Sequence, residues 1–218
     1  MSDPSRVVLC FGDSNTHGTV PAASLDDDRR YGPDVRWPGL LTERLGPTWR
    51  IYEEGLPGRT TVHSDPIEGQ HLSGIAAVPM LLGTHWPIDA VIIMLGTNDL
   101  KARFSVGPSD IAAGVERLVR TIRSLSEGSG RTPPRILLVA PPPVLEVGCL
   151  AGMFAGGQPK SEALGSFLRQ TAERLGTGFV DAAEHIRVSQ VDGVHFDPDQ
   201  HRILADVIEG ALQDLFNQ

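Results

Sequence analysis

Val7-Val8-Leu9-Cys10-Phe11-Gly12-Asp13-Ser14-Asn15-Thr16 is an apolar run that stops abruptly in Gly-Asp-Ser. An unbroken apolar stretch bounded by a turn signal predicts a strand buried on both faces, as in a parallel sheet. The Gly-Asp-Ser that follows predicts a tight turn presenting a serine at the strand's C-terminal end. Such a serine has chemical value only if other parts of the chain supply a base, an orienting acid and donors for a developing negative charge.

Working outward, further strands are expected at Trp49–Tyr52, Ala90–Leu95, Ile136–Ala140 and Phe179–Val180. Amphipathic stretches separate them. Ser109–Leu125 is the clearest helix, with Ile111, Val115, Leu118, Val119 and Ile122 at helical spacing. Gly39–Leu45, Ser161–Leu175 and Pro198–Phe216 are further helices, the last begun by Asp197-Pro198. His71–Leu82 is interrupted by Gly74 and Pro79, so its helix should start late or bend. The alternation predicts a three-layer α/β/α sandwich around a mostly parallel five-stranded sheet, flavodoxin-like, with right-handed crossovers. Sites in such sheets lie beyond the C-terminal strand ends, where Ser14, Gly58 and Asn98 all fall. Long loops are expected near 19–36 and 141–159, as binding walls, subunit contacts or surface excursions. Nothing divides residues 1–218, which read as one domain.

The bulk numbers set limits. With 218 residues, a net charge of −8 and a pI near 5.3, the chain lacks the basic face a nucleic-acid partner requires. Two cysteines make no disulfide framework. There is no signal-peptide pattern after Met1 and no membrane-length apolar run, so a cytoplasmic protein is expected. No Cys/His cluster suggests a metal, and no cofactor is implied.

Asp192-Gly193-Val194-His195 offers an acid and a base three residues apart. One turn of chain can set the carboxylate against the imidazole and fix its tautomer, and the order Ser…Asp…His is compatible with a triad. The bland alternative is a helix-entry Asp and a surface His. Leu56-Pro57-Gly58-Arg59-Thr60 offers a glycine turn, with Gly55 a competing glycine, and Gly96-Thr97-Asn98-Asp99 offers a neutral amide. Each could equally be an ordinary turn.

Together these blocks resemble the SGNH (GDSL-type) hydrolases, and stand in that family's order. The resemblance implies Ser14 as nucleophile, His195 as base and Asp192 as its orienter. It implies an oxyanion hole from the N–H groups of Ser14 and Gly58 and the Asn98 amide. The runs Cys10–Ser14, Asp34–Trp37, Glu53–Leu56, Arg59–Thr61 and Val91–Asp99 are more closely similar to the bacterial arylesterase/acyltransferase branch. That branch implies short-acyl aryl and alkyl esters as small-molecule substrates, acyl transfer or perhydrolysis beside hydrolysis, and a homo-octamer. A carbohydrate O-acetyl esterase with the same triad is the rival enzyme, and a non-catalytic anion-binding module the rival of another class. The chain departs from the family pattern at three places. Asn15 replaces the usual Leu after the serine, Pro57 and Arg59 flank the second-block glycine, and His17 replaces the branch's Trp. Asn15 and His17 are therefore expected at the substrate pocket, and Trp37, which follows the first long loop, is expected to reach it.

Overall fold

A computed structural model describes residues 6–217. The reading of Met1–Ser5 as free of a targeting segment falls outside them. Five strands, β1 (Arg6–Gly12), β2 (Trp49–Gly55), β3 (Ala90–Met94), β4 (Arg135–Ala140) and β5 (Gly178–Asp181), form one sheet in the order β2-β1-β3-β4-β5. Every pairing is parallel. This is the doubly wound flavodoxin-like order, with its switch point between β1 and β3.

The helices are α1 (Ser14–His17), α2 (Trp37–Leu45), α3 (Gly74–His85), α4 (Pro108–Gly128), α5 (Gln158–Leu175) and α6 (Pro198–Asn217). Strand side chains alternate between two cores, because successive residues of a strand point to opposite faces. Leu9, Phe11, Val91, Ile93 and Leu138 pack with Val78, Ile111, Leu118, Ile122 and Leu164 of α3, α4 and α5. Val8, Cys10, Ile92, Met94 and Val139 pack with Trp37, Leu41, Leu204 and Ile208 of α2 and α6. Both faces are covered, which is why the strands read as continuous apolar runs.

The expected elements are all present, with shifted ends. Helix α3 starts late, at Gly74, and carries Pro79 inside it. Strand β2 runs to Gly55, three residues beyond Tyr52. Helix α1 is too short to leave a periodic signal in the sequence. Among the described residues no helix is long and apolar enough to cross a membrane.

Candidate active site

The β1 strand ends at Gly12, and Asp13 caps α1 by accepting the Asn15 N–H at 3.0 Å. That turn lifts Ser14 to the C-terminal edge of the sheet at the switch point. His195 Nε2 lies 3.0 Å from Ser14 Oγ, and His195 Nδ1 lies 2.6 Å from Asp192 Oδ2. Asp192 is fully buried and also accepts the N–H groups of Val194 and His195 on Oδ1 and of Ala22 on Oδ2. Burial alone would raise its pKa. The His195 hydrogen bond, the imidazolium charge and the backbone donors outweigh burial and bring it down to about 2. The acid therefore stays ionised, and the imidazole keeps one tautomer, with its Nε2 facing the serine.

Two long loops hold this acid. The 19–36 segment supplies the Ala22 N–H at 2.8 Å. In the 141–159 segment, Leu145 N–H donates to the Gly193 carbonyl at 2.8 Å, and Cys149 Sγ donates to the Ala22 carbonyl at 3.2 Å. Both loops are braces for the Asp192–His195 turn.

The second and third blocks are tied together beside the serine. Asn98 Nδ2 donates to the Arg59 carbonyl at 3.1 Å. Asp99 accepts Thr61 N–H at 2.9 Å and Thr61 Oγ–H at 2.5 Å, and burial holds its pKa above the ordinary carboxylate value. Arg59 is buried beneath β1. Its guanidinium donates to the carbonyls of Gly12 (2.8 Å) and Glu54, and stacks 4.6 Å from the Phe11 ring. Burial lowers its pKa to about 10. Gly58 takes φ +83°, a conformation that favours glycine. Gly55 instead ends β2 against the backbone of Thr16 and His17.

Ser14, Gly58, Asn98 and His195 line one cavity of about 280 Å³. Leu25, Leu150, Met153 and Phe154 give it an apolar side, and Glu68 and Lys101 a charged one. The three residues expected at the pocket do not line it. Asn15 is buried, and its Nδ2 donates to the Val194 carbonyl at 3.1 Å, because the first turn of α1 points it toward the His195 loop. His17 lies at the end of α1 beside the end of β2, and its carbonyl accepts Arg30 Nε–H at 2.7 Å. Trp37 begins α2 and is buried in the core on the α6 side. Sequence reasoning passed over Glu68 and Lys101. Lys101 had one usable signal: a charge three residues after Asn98 in a stretch otherwise sealed from water.

The family model for GDSL-like lipases/acylhydrolases matches residues 10–203. The chain belongs to that family. Among solved structures, this GDSL-like hydrolase is similar to Est24, a carbohydrate acetylesterase from Sinorhizobium meliloti. The two share 38% identity and a TM-score of 0.92, over 96% of this chain and 99% of that one. It is equally similar to the native aryl esterase of M. smegmatis, with the same four values. A carbohydrate acetylesterase family member from Sinorhizobium meliloti follows at 33% identity and a TM-score of 0.87, covering 98% and 100% of the two chains. A comparison with curated proteins returned no significant match. Family and neighbours make this chain a carboxylic ester hydrolase of the SGNH type, as its sequence predicts.

Proposed function

We propose that the chain hydrolyses short-acyl aryl and alkyl esters through an acyl-enzyme on Ser14. The observation that carries this is the unbroken relay from Ser14 Oγ through the His195 ring to buried Asp192, opening into a cavity with Gly58 and Asn98. In this reading Ser14 Oγ attacks the ester carbonyl as His195 Nε2 takes its proton. The carbonyl oxygen gains charge and accepts hydrogen bonds from the Ser14 and Gly58 N–H groups and the Asn98 amide. An amide has two N–H bonds, and the Arg59 carbonyl takes only one of Asn98's. The tetrahedral species collapses, and the His195 proton goes to the departing alcohol or phenol. Water, deprotonated by His195, then attacks the acyl carbon; as the acyl–serine bond breaks, His195 returns that proton to Ser14 Oγ and the carboxylic acid leaves. An alcohol or peroxide in place of water would give acyl transfer or perhydrolysis.

The small cavity volume and its apolar side suit a short acyl group, and the aryl or alkyl alcohol in place of an acetylated sugar follows from the resemblance to the arylesterase branch. A panel of aryl acetates against acetylated xylosides tests the substrate class, and higher kcat/KM on the xylosides would refute it. A fluorophosphonate probe with peptide mapping tests the chemistry. A single label on Ser14 is expected, abolished in His195→Ala. Labelling elsewhere, or none in folded protein, would overturn the reading. The octameric assembly implied by the resemblance belongs to the same proposal. Light scattering at micromolar concentration tests it, and a monomer refutes it.

A further inference from the structure

Charge is unevenly placed around the cavity. Glu68 and Lys101 both line it, and neither is used by the relay above. Lys101 closes the same short turn as Asn98, with its N–H donating to the Asn98 carbonyl at 3.2 Å. Its side chain is only 3% exposed. Nζ lies 2.7 Å from Glu68 Oε2 and 3.9 Å from Asp65 Oδ2. Arg103 closes the network, with Nη1 3.1 Å from Asp65 Oδ1 and Nη2 2.9 Å from Glu68 Oε1. An ammonium so far out of water needs such partners to remain charged.

Glu68 sits in a place that would otherwise oppose catalysis. A Cβ built on Gly58 would lie 3.1 Å from Glu68 Oε2, so the carboxylate rests against the glycine whose N–H faces the reacting carbonyl. Negative charge grows on that carbonyl oxygen in the transition state. The Glu68 side chain is 32% exposed, so water screens but does not abolish its repulsion of a charge a few ångströms away.

We infer that Lys101 is a positioning residue for the oxyanion site. Its ammonium neutralises the Glu68 oxygen nearest Gly58, and Glu68 with Asp65 fixes that ammonium beside Asn98. The Lys101–Glu68 pair thereby makes the charged side of the cavity favour a developing oxyanion. The role is electrostatic, and no bond is made or broken at either group. The inference rests on the reading of Gly58 and Asn98 as oxyanion donors.

The sign of the effects separates this role from a structural one. Lys101→Met should lower kcat roughly tenfold or more with little change in KM, since the effect acts on the transition state. Glu68→Gln keeps an acceptor for Lys101 but removes the negative charge, so kcat should rise roughly threefold or more. The double variant should recover most of the Lys101→Met loss. A merely structural pair predicts the reverse: both single variants slower and the double no faster than Lys101→Met. A kcat for Glu68→Gln at or below wild type overturns the inference. So does a double variant as slow as Lys101→Met. Melting temperatures accompany each assay, and if Lys101→Met fails to fold, Glu68→Gln alone decides the question. Fluorophosphonate labelling of wild-type Ser14 keeps the two readings apart. Absent labelling sinks the acyl-serine reading, whereas intact labelling with the wrong charge signs sinks only the role of Lys101.

Discussion

Asp13, directly before Ser14, carries a charge whose burden can be worked out. It is 1% exposed, and its one strong local donor is the Asn15 N–H. Burial raises its pKa, partly offset by that N–H and by the positive charges of His195 and Arg59, to about 6. An aspartate in the unfolded chain titrates near about 3.9. Between those values the folded protein retains a proton that the unfolded chain has released, so stability falls as pH rises through the window. The two values give a destabilisation of about 1.5 kcal/mol at pH 5 and about 2.9 kcal/mol at pH 8. Asp13→Asn keeps the acceptor for Asn15 and cannot ionise. Its new amide N–H groups need acceptors of their own, but that cost does not depend on pH. The difference between two pH values therefore isolates the charge. Relative to wild type, the variant should gain about 1.4 kcal/mol between pH 5 and pH 8. Urea unfolding of both proteins at each pH, followed by tryptophan fluorescence, measures it. An equal stability difference at both pH values, or one moving the other way, would refute the picture of an under-partnered buried carboxylate.

Asn98→Ala should cut kcat by roughly 10²–10³ while the protein stays folded, because the proposed oxyanion donor disappears; steady-state kinetics beside a thermal melt would expose wild-type turnover as a contradiction. Asn15→Ala leaves the buried Val194 carbonyl without its donor and frees the serine turn from the His195 loop. A stability loss of about 1–3 kcal/mol is expected, with kcat falling more than KM changes, as chemical denaturation and kinetics together would report. His201 is fully buried, and burial, reinforced by the His195 charge, lowers its pKa to about 4. Its contribution to stability is complete above about pH 6.5 and is lost as pH falls toward 4, up to about 3 kcal/mol. His201→Leu should flatten that acid limb in a pH series of unfolding curves, and an unchanged limb would assign it to other groups.

The inner strands β1, β3 and β4 were legible because they are covered on both faces, leaving apolar runs in the sequence from Val7–Phe11 to Ile136–Ala140, whereas the edge strands β2 and β5 are only partly buried and left weaker signals. Ser14, Asn98, Asp192 and His195 stand at strand ends or at one-turn spacing, but those cues alone fitted ordinary turns; their order along the chain, through the resemblance to the SGNH hydrolases, marked them as a candidate site. The pocket residues were not. Whether Asn15 faces the cavity or the His195 loop depends on one turn of α1, too short to have a periodicity. Trp37 follows a long loop, and nothing local says that α2 carries it into the core facing α6. The contact between Lys101 and Glu68 joins positions 33 apart through turns, with no repeating pattern to mark it. The support of Asp192 by Ala22 runs through a backbone N–H, which any residue but proline would supply.

That support has a consequence for how the enzyme fails. Asp192 is held by a segment, 19–36, that contributes Ala22 and little else to the apolar cores. Its remaining anchors are mainly polar, chiefly Arg30 on the His17 carbonyl and Arg36 paired with Glu53, and where these part the segment can open with the sheet intact. Once Ala22 leaves, the Asp192 oxygen that faces His195 loses one of its donors, although the Val194 and His195 N–H groups still hold the other oxygen and every strand remains paired. Shelf life and working temperature would then be governed by a surface excursion rather than by the core, and stiffening residues 19–36 would lengthen the enzyme's useful life without raising its melting point.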